Sequence, residues 1–227
     1  MTDVTKNLEL IRHQIRALER QYSRAEQSVQ LLAVSKKQSM EKIRAAVAAG
    51  QRDFGENYVQ EALEKIAALS DLECQWHFIG PIQSNKTKAI AEHFDWVESV
   101  DREKIARRLS EQRPASLPPL NVCVQVNLSA EASKSGTTLK DSIALCQTVA
   151  DLPGLQLRGL MAIPAPLSGL EEQRNSFRPL AEAYRELQSR LPGIDTLSMG
   201  MSGDFAAAIA EGSTIVRLGT ALFGSRD

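Results

Sequence analysis

Lys36 stands directly after the apolar run Leu31-Leu32-Ala33-Val34-Ser35, where a buried strand would end. An amine at such a place is partly desolvated. The cations Lys37 and Arg217, if the fold brings them near, would further disfavour its charged form. The free amine would then be a nucleophile for a carbonyl carbon. A solvated turn lysine is the plain alternative, and position alone leaves both open. A second group lies near the other end of the chain. Ser198-Met199-Gly200-Met201-Ser202-Gly203-Asp204 leads into a helix expected at Phe205, and Arg217-Leu218-Gly219-Thr220 leads into Ala221-Leu222-Phe223. Small residues let a backbone approach an anion, hydroxyls donate to it, and the first amides of a helix point at it. Ser202, Gly219 and Thr220 thus have the chemistry of a phosphate cradle, although turns and an N-cap would use the same residues. No Walker or dinucleotide fingerprint is present, so no nucleotide is specified.

Other polar residues carry weaker signals. Asn57, Ser84 and Asn85 follow expected strands and serve equally well as mouth-lining residues or as caps and turns. His77 lies within an apolar strand and reads as a satisfied core histidine. With His13 and His93 far off in sequence, Cys74 and His77 do not assemble a metal site. Arg158 and Arg217 fall inside strands, where an unpaired charge is costly, so each requires an anion or a hydrogen-bond partner.

The elements that must position these residues recur as strand, turn and amphipathic helix. Leu8, Ile11, Ile15 and Leu18 predict a first helix from Asp3 to about Arg24. Strands are then expected at 31–35, 52–54, 75–79, 96–99, 121–128, 155–161, 196–199 and 215–218. Ser39, Ser84 and Asp101 are the expected N-caps of the helices that follow them. Eight strands alternating with helices predict an α/β fold, a single (β/α)8 TIM barrel with an extra N-terminal helix over residues 1–227. An open doubly wound sheet is the alternative. In a barrel the working residues lie on the loops after the strands, which is where Lys36 and the two glycine-containing loops fall.

Bulk properties narrow the partners. With 27 Lys and Arg against 28 Asp and Glu, no general basic field attracts nucleic acid or anionic lipid. No apolar run reaches membrane-spanning length. Three well-separated cysteines and the absence of a signal-peptide pattern point to a reducing compartment, and the cytoplasm is the expectation. A monomer is expected.

Taken together, several segments resemble the pyridoxal phosphate homeostasis proteins, which are themselves similar to the barrel half of alanine racemase. They are Leu32-Ala33-Val34-Ser35-Lys36, Phe54-Gly55-Glu56-Asn57-Tyr58-Val59-Gln60-Glu61, Trp76 through Lys86, Gly159-Leu160-Met161-Ala162-Ile163, Leu197 through Ser202, and Val216 through Gly224. The resemblance implies that Lys36 carries pyridoxal 5′-phosphate (PLP) as a Schiff base. It also implies that Ser202, Gly219 and Thr220 hold the phosphate with Ser198 close by. Asn57 and Met161 would border the ring, and Arg217 would face the pyridine nitrogen. Lys37 departs from the pattern, since a small hydroxyl residue is common there. The implied role is to buffer PLP or deliver it to PLP-dependent apo-enzymes. A racemase-like enzyme would need a second base, for which only Tyr58 is placed, and the chain as given ends soon after the barrel. A class I aldolase would need acid and base residues around the lysine, and Glu56 and Asp204 both have ordinary helix-start explanations.

Overall fold

The computed structural model describes residues 3–129 and 135–224. Leu8, Ile11 and Ile15 share one buried face, and α1 (Val4–Gln21) forms around that stripe, capped by the Asp3 side chain on the Lys6 amide. Eight strand–helix units follow. They are β1 (Gln30–Val34), α2 (Met40–Ala48), β2 (Asp53–Glu56), α3 (Val59–Ala68), β3 (Gln75–Phe78), α4 (Thr87–His93), β4 (Trp96–Val100) and α5 (Glu103–Gln112). Then come β5 (Leu120–Val126), α6 (Leu139–Ala150), β6 (Leu155–Ala162), α7 (Leu170–Arg190), β7 (Thr196–Ser198), α8 (Phe205–Ala210), β8 (Ile215–Leu218) and α9 (Thr220–Phe223). All neighbouring strands are parallel, and β8 returns to β1 with Arg217 opposite Leu32, closing the barrel in sequence order. The expected barrel with an extra first helix is the fold observed, and the open sheet is ruled out.

Alternation along the strands sorts residues into two layers. Phe54, Trp76, Phe78, Val97, Val122, Val124, Leu160 and Val216 face outward and pack under the helices in one large core. The inward layer holds two small apolar clusters, Leu32 with Ile79 and Ile215, and Trp96 with Cys123 and Met161. Other inward positions are polar yet fully or almost fully buried: His77, Glu98, Ser198 and Arg217. Barrel interiors are ordinarily filled by branched apolar side chains. Four polar residues here therefore need each other as partners.

Two expected caps are not realised. α4 begins at Thr87 without a side-chain cap, and Ser84 instead offers its carbonyl to the Thr87 hydroxyl at 2.9 Å. The residue before α5 is Arg102, and Asp101 pairs with its guanidinium at 2.6 Å. Ser39 caps α2 as expected, its hydroxyl 3.4 Å from the Lys42 amide. Asp204, not Ser202, precedes α8.

Arg158 meets the requirement for a partner. It is the extra residue where the β5–β6 register shifts, and it bonds Asp195 while lying over the Trp96 ring at 5.2 Å. Gly159 follows it, and a Cβ there would stand 1.8 Å from the Thr196 carbonyl oxygen. Gly159→Ala must push β6 and β7 apart, and we expect it to lower unfolding free energy by about 3 kcal/mol. Urea titration measures this. A loss below about 1 kcal/mol would show that the sheet yields at this seam.

Candidate functional site

The end of β1 is a tight turn. The Gln38 amide donates to the Ser35 carbonyl at 3.0 Å, leaving Lys36 and Lys37 as the two central residues. Lys37 takes φ +58°, a left-handed conformation uncommon for a residue with a side chain. Lys36 is half-buried at the C-terminal end of β1, the end at which the barrel mouth lies. On one side lies the loop after β2, with Asn57. On the other lies the loop after β8, with Gly219 and Thr220. Gly219 lies close against β1: a Cβ there would come within 3.1 Å of the Val34 carbonyl oxygen. That close approach brings the exposed Thr220 beside the end of β1.

The residues singled out from sequence fall at three depths. Ser202 and Thr220 are exposed on the loops after β7 and β8. Asn57 is half-buried, and its Oδ1 is shielded from solvent without a hydrogen-bond partner in the protein. Buried polar atoms are almost always paired, so this oxygen marks a place where a ligand can complete the site. Met161 is fully buried and packs on Trp96 and Cys123 inside the barrel. Ser198 and Arg217 are also interior, and the Ser198 hydroxyl is engaged by both Glu98 and Arg217.

Those two residues end a hydrogen-bonded chain through the barrel interior. Asp53 Oδ1 lies 3.6 Å from His77 Nε2, and His77 Nδ1 is 2.7 Å from Glu98 Oε1. The Ser198 hydroxyl donates to Glu98 Oε2 at 2.5 Å and accepts from the Arg217 guanidinium at 2.6 Å. A second guanidinium nitrogen donates to the Ala162 carbonyl at 2.8 Å. Burial alone would raise the Glu98 carboxyl. The bond and charge of His77, the charge of Arg217 and the Ser198 hydroxyl outweigh it and hold the carboxyl below its usual range. Burial pulls His77 down, but the neighbouring Asp53 carboxylate and the bond to Glu98 prevail and raise it. Burial lowers Arg217, against the attraction of Glu98 and Asp204. Arg217 is thereby fixed in orientation beneath the mouth.

The chemistry this arrangement offers is a primary amine at the mouth, exposed hydroxyls on two neighbouring loops, and an oriented cation below. It suits a phosphorylated carbonyl compound. The family model described as "Alanine racemase, N-terminal domain" matches residues 7–227. The pyridoxal phosphate homeostasis protein of Pseudomonas aeruginosa is 58% identical over 227 residues, covering all of this chain and 97% of that protein. Its counterpart in Escherichia coli K12 is 53% identical, covering all of this chain and 98% of the relative. This chain belongs to the pyridoxal phosphate homeostasis protein family. Among solved structures, PipY of Synechococcus elongatus with PLP bound is 39% identical at a TM-score of 0.83, covering 97% of this chain and 100% of PipY. Alanine racemase from Corynebacterium glutamicum shares the fold at a TM-score of 0.68 and 18% identity, with 96% of this chain covering 61% of the racemase.

In this member of the homeostasis family, sequence reasoning overlooks two residues, Glu98 and Lys65, and misplaces a third. Glu98 is one, although a carboxylate in a buried strand calls for a partner as Arg217 does. Lys65 is another: it lies on α3 but is 3% exposed, bonded to Glu56 and Glu61. Glu56 is the third. It is fully buried in β2, and its burial raises its carboxyl against the pull of Lys65. Nothing local in the sequence distinguishes Lys65 from an ordinary surface lysine.

Proposed function

We propose that this chain binds PLP covalently through Lys36 and serves intracellular PLP homeostasis as a carrier, without turning substrate over. The observation that carries the reading is the half-buried Lys36 turn, placed between the Asn57 loop and the Gly219–Thr220 loop on adjoining strands. Condensation of the Lys36 amine with the PLP aldehyde forms a Schiff base and releases one water. Ser202, Gly219 and Thr220 would receive the phosphate. Asn57 offers its unpartnered Oδ1, Met161 packs below, and Arg217, oriented by Ser198, would meet the pyridine nitrogen. When bound, PLP supplies an electron sink that is strongest with that nitrogen protonated. A fixed guanidinium there disfavours protonation and suits holding over catalysis.

The carboxylates near the mouth support the same reading over a racemase or an aldolase. Glu56 and Glu61 pair with Lys65, and Asp204 accepts the Met201 amide at 2.6 Å. Each is engaged in local structure instead of standing ready as an acid or base. Tyr58, the one tyrosine near the mouth, is 56% exposed, on a loop. We further assign the cytoplasm as the compartment, a monomer as the working form and PLP-dependent apo-enzymes as recipients. Among the described residues, no helix is long and apolar enough to cross a membrane.

The test is to incubate the purified chain with PLP, record its absorption spectrum, reduce with borohydride and map the modified peptide by mass spectrometry. A pyridoxyl group on Lys36 is expected. A chain that takes up no PLP overturns the proposal.

A further inference from the structure

Lys65 reads as a helix-surface lysine, yet its side chain is 4% exposed. Its ammonium has three N–H donors, and the structure provides three acceptors. They are the Ser35 carbonyl at 2.6 Å, Glu56 Oε1 at 2.7 Å and Glu61 Oε1 at 2.6 Å. The same two carboxylate oxygens reach further into the turn. Glu56 Oε1 accepts the Ser35 hydroxyl at 2.6 Å, and Glu61 Oε1 accepts the Lys37 backbone amide at 2.5 Å. The carbonyl just before Lys36 and the amide just after it are therefore tied to one buried cation and its carboxylates.

A buried ion pair is a poor route to stability, because apolar side chains of similar volume commonly do as well or better. An i,i+4 pair such as Glu61–Lys65 contributes just as readily on an exposed helix face. What burial adds here is direction. Ser35 follows the inward-facing Val34, so the cluster lies on the outer, α3 side of the strand, away from the barrel interior. It can hold the Lys36 backbone without touching anything bound at the mouth. The left-handed Lys37 is held by the hydrogen bond its backbone N–H donates to Glu61, and burial of Glu61 is outweighed by the Lys65 and Lys37 hydrogen bonds, which keep that carboxyl below its usual range.

We propose that Lys65 and Glu61 are positioning residues for Lys36, clamping the Ser35–Gln38 turn so that the Lys36 amine is presented at the barrel mouth. The inference rests on Lys36 being the PLP-bearing amine. Fixing the backbone in advance lowers the entropic cost of forming the link.

Lys65 itself is a poor target for mutation, since its loss strands Glu56 in the interior and risks unfolding. Glu61, 28% exposed at its side chain, is the better one. The experiment compares the wild-type chain, Glu61→Ala and Glu61→Gln in apo form. Thermal melting is followed first, then the rate of PLP uptake, the pH profile of the bound-cofactor absorbance and the pyridoxyl yield at Lys36. Glu61→Ala should take up and retain PLP about tenfold more weakly, with a displaced pH profile, the loss expected when one charge-assisted bond is removed. Glu61→Gln keeps an acceptor for the Lys37 amide and should recover most of that loss at similar melting temperature. Uptake and pH profile unchanged in folded Glu61→Ala would overturn the clamp, as would equal losses in both variants. Should Glu61→Ala fail to fold, Glu61→Gln against the wild type decides: near-wild-type uptake supports the clamp, and loss as large as tenfold overturns it. A wild-type chain that binds no PLP would instead overturn the function proposed above, which separates the two failures.

Discussion

Lys36→Ala is expected to give a folded barrel that binds no PLP covalently. The yellow absorbance should be absent, and borohydride should fix no pyridoxyl group on the chain. Residual binding through the phosphate loops should be fully reversible on dialysis. Lys36 is half-buried in a turn beyond β1, outside the strands, so the apo variant should lie within about 1 kcal/mol of the apo wild type. The holo proteins will differ more, because a ligand that binds only the folded state adds stability in proportion to its saturation. Comparing apo with apo is what isolates the lysine. An apo loss several times larger would place Lys36 in the structural core and remove it from the mouth. A pyridoxyl group recovered on another lysine in this variant would transfer the covalent role to that residue.

Glu98→Ala should have the largest effect on stability. Glu98 is fully buried and is the one carboxylate that bonds both His77 and Ser198, with Arg217 attached through that hydroxyl. Its removal takes the bonded carboxylate from both His77 and Ser198, leaving Asp53 beside the histidine and Asp204 as the remaining acidic group attracting Arg217. Breaking a buried pair in this way costs about 3–5 kcal/mol, a large share of the total stability of an ordinary domain. The urea midpoint should fall while the slope of the transition stays the same. Glu98→Gln keeps an acceptor for the Ser198 hydroxyl and should lose less than Glu98→Ala. If Glu98→Ala is as stable as the wild type, the interior chain is not a charge network, and another explanation is needed for the orientation of Arg217.

How much of this was legible beforehand differs by residue. The barrel follows from eight apolar runs separated by turn signals, because each run is long enough for a strand and too short for a helix. Lys36 is legible because it ends the first run. Two helix starts are misread, at Ser84 and Asp101, since a capping residue type promises a cap only when the backbone reaches it. The interior chain is harder. Strands covered on both faces read as continuous apolar stretches, and inward cannot be told from outward. The demand for a partner identifies Arg158 and Arg217, and applied to Trp96-Val97-Glu98-Ser99 it identifies Glu98 too. Lys65 is not legible at all. Its pairing with Glu61 looks like any solvated i,i+4 pair, and only the third dimension brings Ser35 and Glu56 to it.

At the N-terminal end of the barrel, the His77 and Trp96 rings are stacked with centroids 5.1 Å apart, and the Arg158 guanidinium covers Trp96 from the other layer. This stack helps fill the N-terminal end of the barrel, so the loops after the strands are the side open to a ligand. Whatever the mouth admits must leave by the same door, so arrival and departure compete for one passage. On the proposed carrier reading, a recipient protein cannot draw PLP out from behind. It must meet the loops around Lys36 face to face.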